Sequence, residues 1–237
     1  MHEPLAVRAS TKRLLTKDLV FVVDVDDAAR NDLEQLLGSV DLKVMLFRSA
    51  GEFLCCAIPD GPSCLVVEFC MPEGNGLQFQ EQLAKAAFQI PLIFITREAS
   101  IPTAVQAMKA GAVDFLTKPV AEQDLLDAIF VGLARDRMRR RQQEALRALQ
   151  ARFKSLSARE REVLFRVAAG QLNKQIAADL GISEIMVKVH RSHGMRKMNA
   201  NSVAELVRMS DSLKSDFCNA QSCRDKNLLP PYLEGHR

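Results

Sequence analysis

Between Leu19 and Leu133 short apolar runs alternate with longer stretches in which apolar residues return every three to four positions. The short runs, rich in Val, Ile, Leu and Phe, fit strands, and the periodic stretches fit helices that bury one face. This pattern predicts strands at Leu19–Asp24, Lys43–Phe47, Cys64–Glu68, Pro91–Thr96 and Asp114–Thr117. Helices are predicted between and after them at Ala28–Leu37, Ala50–Ala57, Gly76–Ala86, Ile101–Ala110 and Ala121–Leu133. Five βα units imply a doubly wound α/β domain with a five-stranded parallel sheet, spanning 18–134 after an N-terminal extension at 1–17. In such a fold the functional site lies beyond the carboxyl ends of the strands.

The period changes after Leu133. Residues 135–154 read as a basic helical linker, and over the helix-favouring run from Gly132 to Lys154 the residues Leu133, Met138, Leu146, Leu149 and Phe153 make a broken apolar stripe, leaving either a solvated helix or a short dimerising coiled coil. Residues 155–210 hold only helix patterns and short turns, implying a small all-α domain. Ser157 and Glu160 form a capping box for a helix at Ala158–Ala169, closed by Gly170. Asn173 is read as the cap of Lys174–Leu180, Gly181 as a tight turn, Ser183 as the cap of Glu184–Met198, and Ser202 as the start of a last helix ending at Met209. The polar stretch 211–237, with Pro230 and Pro231, reads as a mostly disordered tail.

Charge separates the two halves. The net charge is +3, but residues 1–134 carry 11 Lys/Arg against 18 Asp/Glu, a balance of −7, and 135–237 carry 21 against 11, a balance of +10. A basic helical half points to a polyanion, and an acidic half to a site built from carboxylates. No apolar run approaches the roughly 20 residues of a membrane span, and no secretory leader is evident, so a cytoplasmic protein with no membrane partner is expected. The six cysteines lack CxxC pairs and zinc-type His spacing, which favours reduced structural thiols.

At the predicted strand ends stand Asp24, Glu68, Thr96 and Lys118, the last followed by Pro119. Carboxylates, a hydroxyl and an ammonium converging on one point are the components of a phosphoryl-transfer site. The run MKAGAVDFLTKP (Met108 to Pro119), the Met71-Pro72 pair and IFIT (Ile93 to Thr96) resemble response-regulator receiver domains of the FixJ-like kind, which have a flavodoxin-like fold. The stretches SARE-REVL, NKQIAADLGIS and VKVHRSHGMRKM resemble the LuxR-type helix-turn-helix of FixJ-like and NarL-like regulators. Together the resemblance covers about residues 19–210.

Two positions depart from the receiver pattern. Glu68 stands where the resemblance places the phosphoacceptor Asp, and Val25 stands where it places the second acid after the first strand. Moving the acid pair to Asp26 and Asp27 would drag Asp24 into a strand buried on both faces, where an unpaired charge is costly. One additional methylene shifts the Glu68 oxygen by about 1.5 Å, and in-line transfer tolerates little displacement. With only Asp24 and Glu68 as candidate metal ligands, no cofactor is expected beyond weak Mg²⁺ binding. Glu68 then either imitates an aspartyl phosphate beside Lys118 or is inert; residual phosphorylation is a third reading. Phe115 takes the place of the receivers' aromatic switch residue, with a core Phe as the plain alternative.

In the second half Ile176, Ala177, Leu180, Ile182, Val187 and Met195 recur at helical spacing as a core, leaving a basic outer face. The resemblance puts Lys188, Val189 and Ser192 at base edges and Arg191, Arg196 and Lys197 near phosphates, with His190 on the same helix. Met186 replaces a hydroxyl residue there. Val203, Leu206 and Val207 are the dimer candidates by analogy, or packing residues for the first helix of the domain. The leading reading is a dimeric regulator of promoter DNA that is not governed by ordinary aspartyl phosphorylation. A different reading is an interaction module that captures a histidine kinase or another regulator without specific DNA binding. An enzyme using Lys118 or Cys70 covalently lacks a visible base or oxyanion partner.

Overall fold

The structure is a computed structural model that describes residues 18–72 and 74–220, with no side chain described from 214 onward. It divides into two compact units, residues 1–140 and 141–237. The N-terminal extension expected at 1–17 lies outside the described residues. In chain order the first unit contains β1 (Leu19–Val23), α1 (Asp27–Ser39), β2 (Lys43–Phe47), α2 (Ala50–Leu54) and β3 (Ser63–Glu68). The two-residue strands β4 (Cys70–Met71) and β5 (Gly74–Asn75) follow, then α3 (Gly76–Lys85), β6 (Leu92–Thr96), α4 (Ile101–Lys109), β7 (Asp114–Thr117) and α5 (Glu122–Lys154).

All neighbours in the main sheet are parallel, in the order β2-β1-β3-β6-β7. Every residue of β1, β3 and β6 is buried, because helices cover both faces. One face packs Phe21, Phe53, Phe79 and Phe94, with rings such as Phe21 and Phe53 meeting edge-on at 5.4 Å. The other packs Val20, Val22, Ile93, Ile129 and Leu133. Order reverses between β1 and β3, so the loops after these strands diverge and leave a crevice at their carboxyl ends. The doubly wound sheet read from sequence is the fold observed.

Short polar side chains fix the helix starts. Asp26 caps α1 by accepting from the Ala28 and Ala29 amides, Ser49 caps α2, and Asn75 forms a capping box with Gln78 on α3. Gly76 is required by packing. A Cβ there would sit 2.5 Å from the Phe69 ring and 2.6 Å from that of Phe94.

Helix α5 does not end at Leu133, and the division between the units falls within it. The expected apolar stripe along 133–153 is not one surface. Leu133 belongs to the core of the first unit, Met138 is exposed, and Leu149 and Phe153 pack against the core of the second. That second unit continues with α6 (Ala158–Ala168), α7 (Asn173–Leu180), α8 (Glu184–Met198) and α9 (Val203–Ala220).

Gly181 adopts φ 65 between α7 and α8, the left-handed conformation that a tight turn needs. Asn173 is not the cap of α7. It is the first helical residue, Leu172 is the cap, and Gln175 accepts the Leu172 amide at 2.8 Å. The reading of 211 onward as a disordered tail is corrected for 211–220, which continue α9. Leu206, Met209 and Leu213 extend an i, i+3, i+7 stripe in which Leu206 and Leu213 are buried, and this stripe outweighs the polar composition. Residues 221–237 lie outside the described residues. Among the described residues no helix is long and apolar enough to cross a membrane.

The Gly76 contact yields a stability prediction. Gly76→Ala should destabilise the first unit by about 1–3 kcal/mol, because two buried rings must move. Urea unfolding of the full chain, followed through its first-unit transition, measures this; an unchanged midpoint would contradict the packing described.

Candidate functional site

The crevice beyond β1 and β3 is where four of the five acidic-half candidates meet. Asp24 directly follows β1, Glu68 ends β3, Thr96 ends β6, and Lys118 follows β7. Asp24, Glu68 and Thr96 are buried, and the Lys118 side chain is 19% exposed. The Lys118 Nζ donates to Asp24 Oδ2 at 2.8 Å and to Glu68 Oε2 at 2.6 Å, bridging the two carboxylates. Their other oxygens are also engaged. Asp24 Oδ1 accepts the Asp26 amide at 2.9 Å, and Glu68 Oε1 accepts the Cys70 amide at 3.3 Å. Arg30, itself buried, donates to the Asp24 carbonyl.

Burial alone would lower the Lys118 pKa, but the hydrogen bonds and negative charges of Asp24 and Glu68 outweigh it, and the ammonium is held above its ordinary value. Thr96 turns inward: its Oγ1 accepts the Glu98 amide at 3.2 Å and lies 3.6 Å from Cys70 Sγ. Arg97 and Glu98 complete the wall of a cavity of about 360 Å³. Neither was singled out from sequence, where a polar pair after a strand carries no signal of its own. Phe115 is half-buried and packs at 5.3 Å from Phe69 and 6.0 Å from Phe94, so it joins the aromatic core under the crevice.

A divalent cation fits this arrangement poorly. The two acids facing the crevice share one ammonium, Val25 offers no oxygen, and the Asp26 carboxylate is occupied in capping α1. Among the described residues no three His, Cys, Asp or Glu side chains gather as a metal-holding group. Of the cysteines, Cys64 is buried and its thiol is pushed up to about 12 by that burial, while Cys55 and Cys70 are exposed. The side chains of Cys218 and Cys223 lie outside the described residues.

In the second unit the sequence-read core residues Ile176, Ala177 and Val187 are buried, and Leu180, Ile182 and Met195 pack against them. Leu164 fits against Gly194, where a Cβ would come within 2.8 Å of its Cδ1, so α6 and α8 approach closely. Helix α8 leaves Lys188, Val189, Ser192 and Arg196 exposed, with His190 half-buried. Arg191 instead reaches Asn173 Oδ1 at 3.3 Å, tying α8 to the start of α7.

Lys197 donates to Glu160 Oε2 at 2.7 Å and to the Ser155 carbonyl at 3.4 Å, so its charge is largely spent within the domain. Ile185 and Met186 are exposed apolar residues at the start of α8, and Ile185 was missed because a lone Ile in a helix reads as core. Of the dimer candidates, Leu206 is core, Val203 packs against it, and Val207 is half-buried.

Known proteins share this organisation. Residues 20–130 match the family described as response regulator receiver domain, and 154–210 that described as bacterial regulatory proteins, luxR family. The chain is similar to nodulation protein W of Bradyrhizobium diazoefficiens, 48% identical over 84% of this chain and 87% of that protein. It is also similar to the transcriptional regulatory protein FixJ of Azorhizobium caulinodans, 40% identical over 81% and 90%. Among solved structures, response regulator StyR matches with TM-score 0.75 and 45% identity, covering 82% of this chain and 98% of StyR.

The Glu160–Lys197 pair makes the second unit sensitive to acid. Hydrogen bonds from Lys197, then from the Ser157 amide, lower the Glu160 pKa from 4.5 to about 2. A depressed carboxylate contributes stability that is full above pH 4.5 and is lost as pH falls through about 2. Lys197→Met should move that loss to higher pH. Denaturant unfolding of the second-unit transition between pH 6 and pH 2 measures it, and identical profiles for the two proteins would refute the pairing.

Proposed function

Because this chain belongs to the response regulators of two-component systems, with a receiver domain followed by a LuxR-type DNA-binding domain, we propose that it regulates transcription through a receiver that works without ordinary aspartyl phosphorylation. The observation that carries the proposal is the bridge of Lys118 between Asp24 and Glu68. In a phosphorylated receiver a lysine at this position would meet a phosphoryl oxygen. Here a permanent carboxylate meets it at 2.6 Å, and every oxygen of the two acids already has a donor. Glu68 therefore imitates part of the charge of an aspartyl phosphate, although one carboxylate carries less charge than a phosphoryl group. Without a second acid at Val25 no route through Mg²⁺ is assigned, and no enzymatic step is ascribed to the chain.

The output is binding of double-stranded promoter DNA in the cytoplasm as a homodimer. Lys188, Val189 and Ser192 read base edges, and Arg196 contacts phosphate. His190 supports the helix from its half-buried position. Arg191 and Lys197 serve mainly to hold α8 in place, since both are engaged within the domain. Met186 and Val189, three residues apart and exposed, suit thymine methyl groups. Val203 and Val207 on α9, both half-buried, are the self-association candidates, and Ile101, Val105 and Met108 form an exposed stripe on α4.

A protein partner such as a histidine kinase is supported by a groove that adjoins the crevice and shares Asp26, Arg97 and Lys118 with it. It has a volume of about 620 Å³ between α1 and the start of α5, with Leu33, Leu36, Val120 and Leu125 inside and Asp32 and Glu122 among its polar residues. If partner capture were the whole function, no sequence-selective DNA complex would form.

Selection from genomic fragments by the untreated protein at about 0.15 M salt tests the DNA reading. Selective binding without a phosphodonor is expected, and Lys188→Ala should weaken it by about 10- to 100-fold, the equivalent of 1–3 kcal/mol. Acetyl phosphate with Mg²⁺ tests the receiver. Glu68→Asp alone should remain unlabelled, and labelling should require Val25→Asp as well; robust labelling of the single variant would overturn the account of the crevice.

A further inference from the structure

A second polar cluster lies at the opposite end of the sheet, at the amino ends of its strands. Between Arg135 and Arg141 the chain carries five arginines and one acid, a composition that reads as a solvated basic helix. That acid, Asp136, is completely buried. Its Oδ2 accepts the Ser63 amide at 3.0 Å and Arg140 Nε at 2.7 Å, and its Oδ1 accepts Arg139 Nε at 2.9 Å.

The arginines reach further. Arg140 Nη1 donates to Asp60 at 2.7 Å, Arg139 Nη1 to Gln89 at 3.2 Å, and Arg137 pairs with Asp18. These partners sit just before β1, at the start of β3 and just before β6, so one turn of α5 is fastened to the amino ends of three strands. Buried ions persist when charge and hydrogen bonds are both satisfied, and the two guanidinium groups and one amide on Asp136 meet that condition.

Charge-assisted pairs of this kind compete directly with phosphate for guanidinium groups. Nine residues beyond Arg140 the same helix supplies Leu149 to the core of the DNA-binding unit. We infer that the Asp136 cluster is a clasp that withholds Arg137, Arg139 and Arg140 from DNA phosphates, and that opening it frees these cations to bind phosphate. The clasp gives the receiver a second way to act on affinity, independent of the crevice. The inference rests on DNA binding by the second unit.

The test is the salt dependence of DNA affinity for the full chain, where each phosphate contact contributes about 0.9 to the slope of log K against log salt. Asp136→Asn removes the carboxylate shared by Arg139 and Arg140 and should steepen the slope by up to about 2, and replacing Arg137, Arg139 and Arg140 together by Gln in that background should restore it. In the wild-type background Arg137→Gln alone, which leaves Asp136 paired with Arg139 and Arg140, should leave the slope unchanged. The double variant Asp18→Asn/Asp60→Asn releases Arg137 while Arg139 and Arg140 stay on the buried carboxylate, and should steepen the slope by about 1 even if Asp136→Asn does not fold.

An unchanged slope in the folded aspartate variants makes the cluster purely structural and overturns the inference. A shallower slope for Arg137→Gln in the wild type also overturns it, because that arginine would already be on DNA. Failure of the wild-type protein to bind DNA at any salt is the distinct result that defeats the DNA reading, and the clasp with it.

Discussion

The constraint on which the first unit depends is that β1, β3 and β6 are buried on both faces. A strand in that position can carry no uncompensated polar side chain along its length, so polarity is driven to its two ends. At the carboxyl ends Asp24, Glu68 and Thr96 gather around Lys118. At the amino ends Asp18, Ser63 and Gln89 receive the arginines and the buried acid of α5. The two polar clusters are thus products of one packing rule, and the apolar sheet between them separates their chemistry.

In the second unit specific contacts supplement the apolar core. Close contact replaces bulk where Leu164 meets Gly194, and ion pairing replaces it where Glu160 meets Lys197. Arg191 does similar service with Asn173. Consequently, part of the positive charge counted along α8 is structural, and the surface offered to DNA is narrower than the sequence count implies. The apolar exposed residues Ile185, Met186 and Val189 occupy the room that remains.

Most of the architecture was legible because strands buried on both faces read as short continuous apolar runs, while the helices between them carry the 3.6-residue period. The crevice residues were legible for a related reason: polar residues at the ends of apolar runs have few other places to go. What remained hidden depended on long-range partners. Asp136 looks like an ordinary solvated acid until Ser63, 73 positions earlier, is seen beneath it. Lys197 looks like a phosphate ligand until Glu160 is brought beside it by the packing of α6 on α8. The end of α9 was missed for the opposite reason, since a polar composition concealed a sparse stripe that packing makes sufficient. Asn173 was read as a cap because its residue type favours that role, but the turn closes one residue earlier through Gln175.

The bridge at Lys118 also changes how this position should be understood over evolutionary time. Once two buried acids depend on a single ammonium, removing it strands both charges, a far greater loss than removing either acid while the ammonium keeps the other. A lineage that abandons phosphoryl chemistry can therefore alter its acceptor and its metal ligand freely, yet remains bound to its lysine by folding alone. A lysine held in this way is therefore kept by folding alone, whether or not the crevice carries phosphoryl chemistry.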